Sequence, residues 1–278
     1  MEIVVPVYNA PAELARCLQA LEAYTPPAQP ILLIDDASPD HAVRPLLDAF
    51  VDRPERRLLR HAENRGFVRT ANAGFEATTA DVLLLNSDAI VTPGAVEALA
   101  RALAADATIA TATPFSNNAE ICSFPDFCRP CPLPSAPEAI ARAVARTAVP
   151  HYPELPTGVG FCMAVSRRAL DALGGFDAET FGAGYGEEND FCRRAAAAGW
   201  RNVLCDDAYV AHVGHASFRD TPWRPGGEAM QRLLAKHPDY EQVVHDFIAA
   251  DPLAAIRQAI IDAMTPTERD AAGLQDLD

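Results

Sequence analysis

Lysine is almost missing from this chain. Lys236 is the only one, so nearly all of the 23 basic side chains are arginine. Against them stand 38 Asp and Glu, giving a formal net charge of −15 over 278 residues. A surface so poor in cations excludes a protein held mainly by nucleic-acid phosphates, which needs a basic face. No apolar run approaches the ~18 residues of a membrane span. Met1-Glu2-Ile3-Val4-Val5-Pro6 has neither a basic region nor a long apolar stretch, so no signal peptide is expected. Seven cysteines, an odd number without an export signal, then read as reduced thiols of a cytoplasmic protein. Cys122, Cys128 and Cys131, with His151 further on, contain one C-x-x-C. A structural zinc site normally shows a second close pair, and here there is none.

What is present is a balanced globular composition, 49% hydrophobic and 22% charged, with strand and helix signals alternating from the start. Ile3 to Val7, Ile31 to Ile34 and Val82 to Leu85 are apolar throughout, as strands buried on both faces are. Between them run helical patterns: from Pro11 through Leu21 with Asn9 as cap, Ala42 to Phe50, and Phe67 to Ala77. Leu58-Leu59 reads as a short strand. Further on, Pro93 to Leu103 is helical and Thr108 to Thr113 strand-like. Gly160 to Val165 is a strand, and a short helix runs through Leu173. Glu188 to Ala198 is a helix, and Asn202 to Cys205 and Ala208 to Val213 are two short strands. Residues 114 to 156 are proline-rich and irregular, the character of a functional loop. From Pro222 the pattern is helical. The expected architecture is α/β, a mixed and mainly parallel Rossmann-like sheet flanked by helices, spanning 1–220, with a helical appendage over 221–278. That appendage holds much of the negative charge, nine Asp and Glu against two Arg beyond residue 238.

In such sheets ligands bind beyond the carboxyl ends of the strands, and polar clusters stand there. Asp35-Asp36 can bond a base or ribose, or serve as a helix cap. Asn86-Ser87-Asp88 places a carboxylate where Mg²⁺ or Mn²⁺ could take the rest of its shell from phosphates, or where a plain turn suffices. Gly182 to Gly186 leads into Glu187-Glu188-Asn189-Asp190. Acids there suit a helix N-terminus, yet adjacent carboxylates also raise one another's pKa, which suits one of them to accept a proton near neutral pH. His212-Val213-Gly214-His215 follows an apolar strand and could complete a metal shell. A dinucleotide-dependent oxidoreductase is excluded, because Val7-Tyr8-Asn9-Ala10-Pro11 stands where a Gly-x-Gly-x-x-Gly turn is required. A nucleotidyltransferase would show a basic glycine-rich loop at the same place.

The ordered set Val5-Pro6-Val7-Tyr8-Asn9, Ile34-Asp35-Asp36-Ala37-Ser38, Asn64-Arg65-Gly66-Phe67, Asn72-Ala73-Gly74, Leu85-Asn86-Ser87-Asp88, Gly175-Phe176-Asp177, Glu187-Glu188-Asn189-Asp190 and His212 resembles the family 2 glycosyltransferases of GT-A fold. Pro114-Phe115-Ser116-Asn117-Asn118 and Thr157-Gly158-Val159-Gly160-Phe161-Cys162 resemble the bacterial rhamnosyltransferase-like branch.

The resemblance implies a nucleoside-diphosphate sugar donor. Tyr8 would stack on the base beside Pro6, Asp36 would bond it, and Asn64, Asn86 and Ser87 would complete the nucleotide-sugar site. Asp88 would hold Mg²⁺ or Mn²⁺, joined by His212. Asn86 stands where the family's Asp-x-Asp motif has its first acid. Glu188, in place of the family's Asp and in preference to Glu187, would be the general base, and Asp190 a support for the helix start. Direct displacement with inversion follows, onto a hydroxyl of a glycan or lipid-linked saccharide. Residues 114 to 156 and the Gly182 to Gly186 loop would wall the acceptor site. The implied setting is the cytoplasm, at the inner face of the membrane. The C-terminal helices would dock on the core, pair two copies or meet a second domain. The departures at Asn86 and Glu188 also admit an inactive nucleotide-sugar-binding partner module.

Overall fold

The computed structural model describes residues 1–147, 149–182, 184–214, 227–271 and 274. Nine strands and twelve helices follow in the order β1 (Glu2–Val7), α1 (Pro11–Tyr24), β2 (Ile31–Asp35), α2 (Val43–Phe50), β3 (Arg56–Arg60), α3 (Phe67–Glu76), β4 (Val82–Leu85), β5 (Ala89–Ile90), α4 (Ala95–Ala105), β6 (Ile109–Phe115), α5 (Pro137–Thr147), β7 (Cys162–Val165), α6 (Arg167–Leu173), α7 (Ala178–Phe181), α8 (Glu187–Ala197), β8 (Arg201–Tyr209), β9 (Ala211–His212), α9 (Glu228–Lys236), α10 (Tyr240–Ala250), α11 (Ala254–Ala263) and α12 (Pro266–Ala271), among the described residues. A short 3-10 turn, Glu120–Cys122, follows β6.

The main sheet has the order β3-β2-β1-β4-β7-β6-β8, and only β7 runs against its neighbours. Strand parity divides the core in two. Ile3, Val5, Val7, Leu33 and Leu85 face a layer that includes α1, α2, α4 and α5, while Val4, Leu32, Ile34 and Leu84 face α3, α6 and α8. This is why the runs Ile3 to Val7, Ile31 to Ile34 and Val82 to Leu85 are apolar at every position: both faces are covered. Gly74 lets α3 lie directly on β1, since a Cβ there would overlap Val4 Cγ1. Pro6 is tolerated inside a central strand for a positional reason. The Ile3 N–H points to β2 and the Glu2 N–H to the β4 side, so Pro6 also faces β4, beyond Val4↔Leu84 where that pairing ends.

Three details differ from the sequence expectation. Residues 114 to 156 are not irregular throughout, for α5 is an 11-residue helix whose Ile140 and Val144 are fully buried. Its Pro137 sits in the first turn, where the missing N–H costs nothing. Strand β8 runs through the expected break at Asp206-Asp207 to Tyr209, and the rest of the second expected strand is β9. The pairing of β8 with β6 jumps from Pro114↔Cys205 to Phe115↔Tyr209, and Asp206 lies in that irregularity and accepts the backbone N–H groups of His151 and Tyr152. Asn9 does not cap α1, for its Oδ1 accepts the Asp40 N–H while Ala10 occupies the cap position. Helix α9 begins at Glu228; the stretch expected to be helical from Pro222, like the domain boundary at 220/221, lies outside the described residues.

The C-terminal helices enter both cores. Leu233 and Tyr240 belong to the cluster under α8, whereas Leu253, Ile260 and Met264 belong to the cluster with α5. Among the described residues no helix is long and apolar enough to cross a membrane.

Candidate active site

Because β1, β2 and β4 are parallel, their carboxyl ends share one rim; because β7 is antiparallel, it begins there, with Cys162 opposite Leu85. The segment 157–161 is thereby set beside Asn86-Ser87-Asp88, and the Asn86 N–H donates to the Phe161 carbonyl at 2.8 Å.

Asp36 directly follows β2, almost fully buried. Its Oδ1 accepts the Arg65 N–H and its Oδ2 the Gly66 N–H, both at 2.9 Å, and His61 Nδ1 lies 2.7 Å from Oδ1. The expected base ligand thus holds the 61–66 loop against the rim, with one lone-pair position left. Gly66 follows the loop at φ 82°, and a Cβ there would sit 2.7 Å from the Gly182 carbonyl. Asn64 is exposed and turns its Oδ1 back to the Gly66 N–H. Asp35 Oδ1 accepts the Ser38 N–H, and Ser38 Oγ accepts the Asn9 N–H, so the ends of β1 and β2 are tied together under half-buried Tyr8. Pro6 is buried one residue inside the end of β1.

Ser87 and Asp88 are each 4% exposed. The small pairing of β5 with β9, Ala89↔His212, carries His212 to Asp88. His212 Nδ1 lies 2.7 Å from the Asn118 carbonyl, which only accepts, so Nδ1 carries a proton. Nε2 is left buried without a hydrogen-bond partner, 3.4 Å from Asp88 Oδ1. A buried imidazole nitrogen without a hydrogen-bond partner, beside a carboxylate, is a pair of groups that a divalent cation can take as ligands. Among the described residues no third His, Cys, Asp or Glu joins them. Asn117 clamps the His212 backbone in both directions, at 2.9 Å each way, and the Phe161 ring stacks on the imidazole 4.8 Å away.

Glu188 is half-buried in the first turn of α8, where a Cβ added at Gly160 would lie 3.6 Å from its Cγ. Burial, with the charge of Glu120 adding to it, pushes its carboxyl up to about 7. Glu187 is more deeply enclosed; burial and the charge of Glu188 hold it well above the ordinary carboxylate range, and its Oε2 has no partner. Asn189 Nδ2 donates to Glu188 Oε1 at 3.2 Å. Asp190 is fully buried and bonds Arg194 Nε at 2.8 Å, His237 Nε2 at 2.9 Å and Lys236 Nζ at 2.7 Å. Burial alone would raise it, but these three partners hold it below the usual range. The chain's one lysine thus joins α9 to α8, and it bonds Asp177 as well.

The rim therefore brings Tyr8, Asp36, Asn86, Ser87 and Asp88 together, with His212 joined to Asp88. Asn64 stays exposed on its loop. His215 and Ala183 lie outside the described residues. The sequence reading did not find His61, Asn117, Asn118, Phe161 and Asn189 as supports; only the clustering of Asn117 and Asn118 in an otherwise apolar strand end hinted at them. The motif residue Asn72 is structural: its amide exchanges hydrogen bonds with the Phe176 backbone at 2.8 and 2.9 Å. Cys122 is buried in the core, while Cys128 and Cys131 are half-buried free thiols.

The family model "Glycosyl transferase family 2" matches residues 2–174. A glycosyltransferase, GlyG, of Streptococcus pneumoniae serotype 4 is 31% identical over 101 residues, 36% of this chain and 33% of that protein. An uncharacterized protein of Mycobacterium bovis is 29% identical over 163 residues, 55% of each chain. The matches thus span between a third and about half of those relatives' lengths. Among solved structures, GalNAc-T7 with UDP, GalNAc and Mn²⁺ superposes with a TM-score of 0.63 at 15% identity, over 94% of this chain and 54% of that one. Staphylococcus aureus TarS 1-349 in complex with UDP-GlcNAc gives 0.57 at 13%, over 98% and 82%. A mannosyltransferase of Pyrobaculum calidifontis with GDP-Man and Mn²⁺ gives 0.54 at 17%, over 99% and 83%. A sheet of this order with one reversed strand, and a family match over most of its strands, lead to one conclusion: the chain belongs to glycosyl transferase family 2 and has the GT-A fold.

Proposed function

We propose that this chain is an inverting glycosyltransferase that moves a sugar from a nucleoside-diphosphate sugar to a hydroxyl of a glycan or lipid-linked saccharide. The observation that carries this reading is a proton acceptor and a cation-binding pair joined through one short segment. A Cβ added at Gly160 would lie 3.6 Å from Glu188 Cγ, and the next residue, Phe161, stacks on His212 and bonds Asn86.

Asp88 and His212 would hold Mg²⁺ or Mn²⁺, which when bound offsets the charge of the leaving diphosphate. Tyr8 would supply a half-buried ring for the base, with Asp36, Asn86 and Ser87 on the donor side of the rim, Pro6 buried beside them in β1 and Asn64 reaching in from its loop. Glu188 Oε takes the acceptor hydroxyl's proton as that oxygen bonds the anomeric carbon, on the face opposite the breaking bond to the diphosphate. A base near pKa 7 is ionised often enough to act and basic enough to accept. We assign residues 1–220 to catalysis and 221–278 to a bracing appendage, and place the reaction in the cytoplasm at the membrane's inner face. The rhamnosyltransferase-like affiliation rests on Pro114 to Asn118 and Thr157 to Cys162.

A panel of UDP-, dTDP- and GDP-sugars, with and without Mn²⁺, selects the donor by its rise in melting temperature. With that donor, Glu188→Gln abolishes transfer and leaves nucleotide binding within a few-fold; near-normal turnover in the variant overturns the base assignment. A wild-type chain that binds donor but neither transfers nor hydrolyses it is the inactive partner module instead.

A further inference from the structure

We infer that Tyr240, from the C-terminal helices, and Thr157, from the segment before β7, are positioning residues that fix the Asn189 amide so that it donates to the carboxylate of Glu188. The inference rests on the reading of Glu188 as the base.

With Glu188 ionised, the hydrogen bonds set the orientation of that amide. Thr157 Oγ1 lies 2.7 Å and Tyr240 Oη 2.9 Å from Asn189 Oδ1, both hydroxyls donating. Glu188 Oε1 lies 3.2 Å from Nδ2. An ionised carboxylate only accepts, so the NH₂ end must face Glu188 and the oxygen must face the two hydroxyls. The turned amide would set its oxygen against the carboxylate and its NH₂ against hydroxyls already placed to donate. Tyr240 is 6% exposed and packs in the core cluster under α8, so its hydroxyl is held in place by its ring.

Tyr240 lies far beyond the end of the family match at residue 174. The appendage thus reaches the base itself, and the Asp190 bonds to Lys236 and His237 hold α9 against α8 just before Tyr240. The ionisable groups around Glu188 are Glu187 and Cys192 on its own helix, Glu120 from the 3-10 turn, and Tyr240. Burial and the charges of Glu188 and Glu120 raise the Tyr240 phenol far above its ordinary value, so it stays neutral and Tyr240→Phe removes a donor without changing charge.

A donated hydrogen bond favours the ionised carboxylate. The test is the carboxyl ¹³C resonance of Glu188 in glutamate-labelled protein, identified by its loss in Glu188→Gln and followed against pH. Tyr240→Phe is expected to raise its titration midpoint by about half a unit and Asn189→Ala by about one unit. The acid limb of the transfer rate moves with it. Tyr240→Phe keeps the buried ring, so it carries the test if Asn189→Ala fails to fold. An unchanged midpoint in folded Tyr240→Phe overturns the positioning role. Transfer retained by Glu188→Gln overturns the base reading instead, and the two failures are read from different variants.

Discussion

His212 Nε2 and Asp88 Oδ1 face each other across 3.4 Å, although their strands are far apart in the chain. The two-residue pairing of β5 with β9 makes the meeting, and Asn117 and Asn118 fix the imidazole so that its free nitrogen looks at the carboxylate.

If this pair binds Mn²⁺, Asp88→Asn and His212→Ala should each lower its affinity by about 100-fold or more. Asn117→Ala, which frees the His212 backbone without touching the donors, should lower it about 10-fold. Calorimetric titration of Mn²⁺ with a nucleoside diphosphate present measures this. Wild-type affinity in His212→Ala removes that residue from the shell.

Transfer should rise with pH through about 7, the region where Glu188 becomes ionised. Stability moves the other way. A carboxyl raised from 4.5 to about 7 keeps its proton in the folded chain where the unfolded chain has lost it, so stability falls as pH climbs through that window. Glu188→Gln should therefore be more stable than wild type at pH 8, by about 2 kcal/mol after discounting partial exposure. At pH 4 the two should be nearly equal. Urea denaturation at both pH values decides it.

Asp190 is buried and bonded to Arg194, Lys236 and His237, and its removal takes the shared carboxylate from all three. Asp190→Ala should cost about 3 kcal/mol in urea unfolding. Amide exchange over 228–250 should accelerate with it, because Lys236 and His237 lose the carboxylate that ties α9 to α8. The stabilisation belongs to the ionised acid, whose folded pKa is lowered, so it is lost as pH falls through that value.

Gly74→Ala tests the approach of α3 to β1. The added methyl group would overlap Val4 in the most buried part of the sheet, so a loss of about 2 kcal/mol is expected. The helix propensity gained from alanine is smaller than that. An unchanged melting temperature shows that α3 shifts freely.

Four-residue apolar runs such as Val82 to Leu85, closed by polar clusters, were enough to find the parallel sheet and its rim. Local pattern failed where a long-range partner decided the outcome. Helix α5 hides in a proline-rich stretch because its stabilisation comes from packing beside β8 and under α11. The break at Asp206-Asp207 looks like a strand end because polarity cannot show that β8 resumes its pairing with β6 at Tyr209.

By itself the sequence determined the class of fold, the strand ends that carry polar groups, and the acids from which a base and a cation ligand could be drawn, since each depends on short-range periodicity and side-chain chemistry. The tertiary structure decided which of those groups meet. Asp36 became the anchor of the 61–66 loop, His212 found Asp88, and the lone lysine tied Asp177 and Asp190 to α9. Hydrogen-bond partners and desolvation belong to neighbours in space, and strand order, not sequence spacing, sets who those neighbours are.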